Sequence, residues 1–188
     1  MVPSGYPAHP SFRFPRHQVT FIPDIHLDAA LRSSIPSMST PIVLPPGASY
    51  VAGAVLSTVY LLIYQLRTVI KYRGLSGVKY PRIYATDKEA EVNPNAMKFN
   101  CAQRAHQNTL ENLPLLYSTT LITALKYPVF AASALGLWSL ARVGYTLGYT
   151  TGDPKKRTNA LSVLHYPIAI TLLGASTYTV VQLILAEA

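Results

Sequence analysis

The stretch YVAGAVLSTVYLLIY, from Tyr50 to Tyr64, decides the fold. It carries no charged side chain. With its flanks, about Gly47 to Ile70, it meets the roughly 20 residues that an α-helix needs to cross a hydrocarbon core. Arg67, Lys71 and Arg73 close it, the charge pattern of a cytoplasmic helix end. The whole chain points the same way. Apolar residues make up 49% of the 188 and charged residues 13%, where a soluble domain carries about 25%, and the mean hydropathy is +0.22. Such a surface cannot all face water, so most of it is expected to face lipid. The length is that of one domain.

The formal net charge of +8 does not indicate nucleic acid. Of the 16 basic residues, eight fall between Arg67 and Arg104 and three form the cluster Lys155, Lys156, Arg157. A nucleic-acid module spreads Lys and Arg over one solvated face. Here they gather in loops beside apolar segments, as the positive-inside rule expects. The single cysteine, Cys101, excludes an intramolecular disulfide and a cysteine-based zinc cluster, and no metal site is expected.

Beyond the first segment a polar loop, Gly74 to about Met97, carries Lys79-Tyr80-Pro81 and the solvated run Asp87 to Glu91. The next segment is polar from Phe99 to Leu110 and apolar from Leu113 to Leu125. Its spacing favours one continuous helix whose first half is wet or lined by protein. After a short turn at Lys126 and Pro128, Val129 to Thr150 reads as a third crossing, with Gly136, Gly144 and Gly148 as small packing residues. A fourth runs from about Leu161 to Ala186, with Pro167 expected to kink it. The sequence thus predicts an all-α integral membrane protein, a bundle of four transmembrane helices over residues 47–188. Four crossings put both termini on one side and both basic loops on the other, which supports the count. Residues 1–46 hold nine of the 15 prolines and no long apolar run, and read as a disordered tail rather than a signal peptide. Arg13, Arg16 and Arg32 would suit a mitochondrial presequence, but Asp24, Asp28 and the prolines weigh against one. Met38, whose Met-Ser-Thr-Pro leads toward the first crossing, is a second candidate start.

Arg104, Asn108 and Glu111 are spaced four and then three, so on a helix they share one face, with His106 and Gln107 to either side. In the third crossing Arg142, Tyr145 and Tyr149 form a similar stripe. A charged side chain within a membrane costs roughly 2.5–3.5 kcal/mol on insertion scales, and persists only if paired, hydrated or bound to a polar ligand. Two readings compete. In one, Arg142 and Glu111 form an interhelical ion pair and nothing more. In the other, charged, amide and phenolic groups converge from two helices on an anionic ligand.

The run Phe99-Asn100-Cys101-Ala102-Gln103-Arg104-Ala105-His106-Gln107-Asn108-Thr109-Leu110-Glu111, with Pro114, resembles the signature of the MAPEG family, the membrane proteins of eicosanoid and glutathione metabolism. Arg142 through Tyr145, Gly148, Tyr149, Thr151-Gly152, Pro154 and Lys156-Arg157 fits the same family, as does Lys79-Tyr80-Pro81 with Tyr84 and Asp87. The resemblance covers about Ala48 to Leu185. It implies a homotrimer with glutathione held at each protomer boundary near the cytosolic side, in the endoplasmic reticulum membrane or the mitochondrial outer membrane. By the same resemblance Arg104, His106, Asn108 and Glu111 would bind the tripeptide from one helix. Arg142, Tyr145 and Tyr149 would bind it from the next, and Arg73 would grip a carboxylate. Asn112 departs from the pattern, standing where some relatives carry a tyrosine that touches glutathione.

The chemistry of the ligand fits these residue types. Two carboxylates and an ammonium call for guanidinium forks and at least one carboxylate, here Glu111. Arg157 is the expected catalytic residue, with Lys156 beside it as the alternative. A free thiol has a pKa of about 8.5 and the thiolate is the nucleophile, so a guanidinium near sulfur favours the reactive form. The resemblance implies conjugation of a lipophilic electrophile or reduction of a lipid hydroperoxide, the substrate entering from the bilayer. A non-catalytic lipid-binding or adaptor protein of the same fold is the rival. A channel or transporter is disfavoured, since the chain shows neither a repeat nor paired broken helices.

Overall fold

A computed structural model of the chain describes residues 46–188; the expectations for the tail, including the start at Met38, lie outside the described residues. Five α-helices follow in order: α1 (Ala48–Ser76), α2 (Asp87–Val92), α3 (Pro94–Ala124), α4 (Pro128–Tyr149) and α5 (His165–Glu187). Two 3-10 turns, Pro154–Arg157 and Ser162–Leu164, link the last two. No strand occurs among the described residues. The central pair α3 and α4 pack on each other, with α1 and α5 each packing on both.

Local chemistry sets the boundaries. Gly47 and Gly77 bracket α1 with φ of 89° and 74°, a backbone region that glycine enters without steric cost. Pro94 and Pro128 occupy first-turn positions of α3 and α4, where a missing N–H leaves no bond unmade. The helix α3 is continuous through Pro114, although that residue cannot donate to the carbonyl one turn back. Pro167, expected as a kink, instead lies in the first turn of α5, where its ring fits the helix start.

The buried face of α1 steps through Val51, Ala54, Thr58, Leu61, Gln65 and Val69, spaced by three or four as a helix stripe requires. Val51, Ala54 and Leu61 pack with Leu113, Leu116, Leu135, Trp138 and Leu172 into the main core. A second, smaller core of Val69, Val78, Ala85, Ala96, Phe99 and Ala102 seats the α1–α3 connection. Asn100 fixes that connection like a strand partner, accepting from the Ala85 N–H at 2.8 Å and donating to the Ala85 carbonyl at 3.0 Å. By length and composition α1 and Ser162–Glu187 are apolar enough to cross a membrane. The interior faces of α3 and α4 carry hydroxyls and a guanidinium instead, the buried groups Thr109, Thr120, Thr123, Ser139, Arg142 and Thr146.

Candidate functional site

Helix α3 turns one face inward and leaves Arg104 and Glu111 open. They bind each other, Arg104 Nη1 to Glu111 Oε1 at 3.1 Å, with both side chains close to half exposed. Asn108 lies on the same face, half-buried. Beside it Gln107 Oε1 accepts from the Tyr84 hydroxyl at 2.6 Å, which ties the α1–α3 connection to this helix. His106 is half-buried and its Nδ1 has no partner. Asn112 turns back on its own helix, donating to the Asn108 carbonyl at 2.7 Å. The ion pair weighed between Arg142 and Glu111 does not form: Glu111 is held by Arg104, and Arg142 points to the interior.

Arg142 has no exposed surface. Its guanidinium donates to Thr109 Oγ1 from Nε at 3.2 Å and Nη2 at 2.9 Å, and to the Ala105 carbonyl at 3.3 Å. The Tyr145 ring centre lies 3.9 Å from it and the Trp138 ring centre 5.7 Å. Gln65 completes a three-helix junction by donating to Thr109 Oγ1 at 2.9 Å and Thr146 Oγ1 at 2.8 Å. Arg142 Nη1 and Gln65 Oε1 remain without partners. The residue expected as a ligand contact is thus part of the bundle's interior. Gln65 was not apparent as a functional residue in the sequence, though its place on the buried stripe of α1 was the available signal.

From Arg142 a line of rings runs outward. Tyr145 meets Tyr149 edge to face with centroids 5.4 Å apart, and meets His165 in the same manner at 5.8 Å. The Arg157 guanidinium lies 5.8 Å from the Tyr149 ring centre and donates to the Pro154 carbonyl at 3.2 Å. Arg157, Lys155 and Lys156 are all exposed. Gly144 and Gly148, expected to pack helix on helix, instead receive the returning chain. A Cβ on Gly148 would sit 2.0 Å from the Lys156 carbonyl oxygen, and one on Gly144 would sit 2.9 Å from Leu161. Gly136 has open space around it.

Arg73 stands apart from both groups. Its guanidinium is stacked between Tyr80 at 4.2 Å and Phe99 at 4.5 Å, and donates to the Arg82 carbonyl at 2.8 Å. In one chain it braces the α1–α3 connection, whose Tyr80-Pro81 peptide is cis.

The model of the MAPEG family matches residues 51–178, from the first turn of α1 to the second half of α5. The chain belongs to the MAPEG family. MAPEG includes glutathione transferases, for which glutathione is the co-substrate. Membership, together with the apolar α1 and α5, makes this chain a membrane protein. The matched region takes in every candidate residue of this MAPEG chain, Arg73 through Arg157. An apolar groove of about 720 Å³ lies elsewhere: Val51, Val55, Leu56 and Val59 of α1 line it with Leu121 and Leu125 near the far end of α3. Arg104 is 17 residues from Leu121, so at 1.5 Å per residue the two ends stand about 25 Å apart along the helix.

Proposed function

We propose that this protein is a membrane-bound glutathione transferase with glutathione peroxidase activity, resembling the microsomal glutathione transferase of the third type. The observation that carries the reading is the half-exposed Arg104–Glu111 pair, with Asn108 on the same face, on a helix whose exposed neighbours Leu110, Leu115 and Leu121 are apolar. Charged side chains half exposed on such a helix require cover by something polar. That need supports a homotrimer of four-span protomers, with glutathione between the α3 face of one protomer and a neighbour, in the endoplasmic reticulum membrane and open to the cytosol.

Within that site Arg104 binds a carboxylate of glutathione and Glu111 its ammonium, while Asn108 and His106 supply neutral hydrogen bonds. Tyr145 and Tyr149 line the α4 side, and Arg73 braces the connection above. Arg142 acts from inside, holding α3 to α4. Arg157 faces the sulfur and favours its ionised form, worth about 1.36 kcal/mol for each pKa unit. The thiolate attacks the electrophilic carbon of a lipophilic substrate, forming a C–S bond and releasing the leaving group or protonating the adduct. With a lipid hydroperoxide it attacks the terminal oxygen instead. The O–O bond breaks, the lipid leaves as its alcohol, and a second glutathione converts the sulfenic acid to disulfide and water.

Ultraviolet difference titration of the purified protein with glutathione tests this. A thiolate band at neutral pH is expected in the wild type, and Arg157→Ala should abolish it while glutathione still binds. Loss of the band in Lys156→Ala instead would transfer the role to Lys156. Binding of glutathione with no band in the wild type would reject the activated thiol and favour a non-catalytic lipid-binding member of the same fold.

A further inference from the structure

The segment after α4 returns along its own helix, and the groups that hold it there surround Arg157. Before Arg157, the Lys156 carbonyl lies over Gly148 so closely that no side chain could stand between them. After Arg157, its own carbonyl accepts from Ser162 Oγ at 2.7 Å, and Ser162 is fully buried. Asn159 and Ser162 lock each other: the Ser162 N–H donates to Asn159 Oδ1 at 2.9 Å and the Asn159 N–H donates to Ser162 Oγ at 2.8 Å. This is the reciprocal arrangement of a capping box, opening the last helical stretch. Asn159 Nδ2 then donates to the Gly144 carbonyl at 2.9 Å, which fastens the locked turn to α4. The Asp153 carboxylate holds the near end by accepting from the Lys155 N–H at 3.0 Å.

We propose that Gly148, Asn159 and Ser162 are positioning residues for Arg157, a fixed seat that aims its guanidinium past Tyr149. The inference rests on the reading of Arg157 as the group that faces the glutathione sulfur. A guanidinium on a free loop spreads over many positions, and an exposed charge is largely screened beyond roughly 8–10 Å at physiological salt, so its mean effect on a neighbouring charge is small. With its backbone held on both sides, the same side chain sweeps a small volume beside Tyr149.

Replacing Gly148 by alanine is the sharpest test, because alanine strengthens the helix itself while colliding with the seated loop. Gly136→Ala makes the same chemical change on α4 where the space is open. Both are read in the purified full chain by thiolate absorbance of bound glutathione, by glutathione affinity, and by the rate of tryptic cleavage at Lys155 to Arg157. In Gly148→Ala the acid dissociation constant of the bound thiol should fall roughly 2- to 30-fold, the equivalent of one lost capping interaction, and the thiolate absorbance at neutral pH should fall with it. Its glutathione dissociation constant should stay within about twofold, and cleavage should quicken. Gly136→Ala should match the wild type in all three. An unchanged thiolate titration in Gly148→Ala overturns the proposal whatever the cleavage rate, and so does an equal shift in both variants. If Gly148→Ala does not fold, Ser162→Ala is measured in its place with Ser162→Thr as the conservative rescue. Loss in the first restored by the second supports the proposal, and equal behaviour overturns it. A wild type that binds glutathione without a thiolate band would instead reject the reading of Arg157, before any variant is compared.

Discussion

Glu111 accepts a hydrogen bond from Arg104, seven residues back along the same helix, at 3.1 Å. Both partners are open, so their mutual attraction adds at most about 1 kcal/mol to stability. Arg104→Gln and Glu111→Gln should therefore leave thermal unfolding nearly unchanged. Glutathione affinity should fall by about 10- to 100-fold in each, the worth of one charge-assisted hydrogen bond. Isothermal titration beside a melting curve separates the two, and a lower melting temperature with unaltered affinity would reject the site.

Arg142 gives the opposite pattern. No carboxylate bridges it among the described residues, so its charge is buried without a counter-ion. Removing the charge while keeping the volume should cost little, since burial of an ion is itself unfavourable. Arg142→Met is expected near wild-type stability with glutathione affinity within about twofold. Arg142→Ala, which leaves a cavity, should lose about 2–5 kcal/mol. A large loss of affinity in the methionine variant would return Arg142 to the ligand.

At Gln65 the expected effect is modest. Thr109 and Thr146 each keep a backbone acceptor, the Ala105 and Arg142 carbonyls, so neither hydroxyl is stranded when the amide goes. Gln65→Leu should destabilise by about 1 kcal/mol, as interhelical hydrogen bonds in membranes typically do. Detergent-induced unfolding measures it, and a loss several times larger would mean that the amide bears more of the junction than its bonds suggest.

The short helix α2 carries a pH-sensitive cap. Its capping box joins Thr86 and Glu89, and Arg82 bridges Glu89 at 2.8 Å. The Thr86 N–H, then the Arg82 guanidinium and the Thr86 hydroxyl, hold the Glu89 carboxyl below the usual range. A folded pKa below the unfolded one, about 4.3, gives stabilisation that is present above that value and lost as pH falls through the folded one. The protection factors of the α2 amides, corrected for the intrinsic exchange rate at each pH, should therefore fall on acidification, and Glu89→Gln should remove that fall.

The long helices were legible because their apolar runs end at Gly, Pro and basic residues, and the α3 face followed from spacing alone. What the sequence did not disclose were close approaches. Gly144 and Gly148 read as a helix-packing pair, since nothing local says that the chain's own next turn will lie on them. Arg142 read as a ligand contact because periodicity places it in a stripe with Tyr145 and Tyr149. Which side of that stripe faces inward depends on α1 and on Thr109. Pro167 read as a kink because a helix start written as a 3-10 turn, Ser162–Leu164, looks like helix in a hydropathy pattern.

The junction of Gln65, Thr109, Arg142 and Thr146 also bears on how the chain enters a bilayer. The Thr109 and Thr146 hydroxyls have acceptors on their own helices, but the Arg142 guanidinium and the Gln65 amide find theirs only on neighbouring ones. Segment-by-segment partitioning would strand a guanidinium at a cost of roughly 2.5–3.5 kcal/mol until its acceptors came. Entry of α3 and α4 as a hairpin, with the Arg142–Thr109 bonds already made, would avoid that cost.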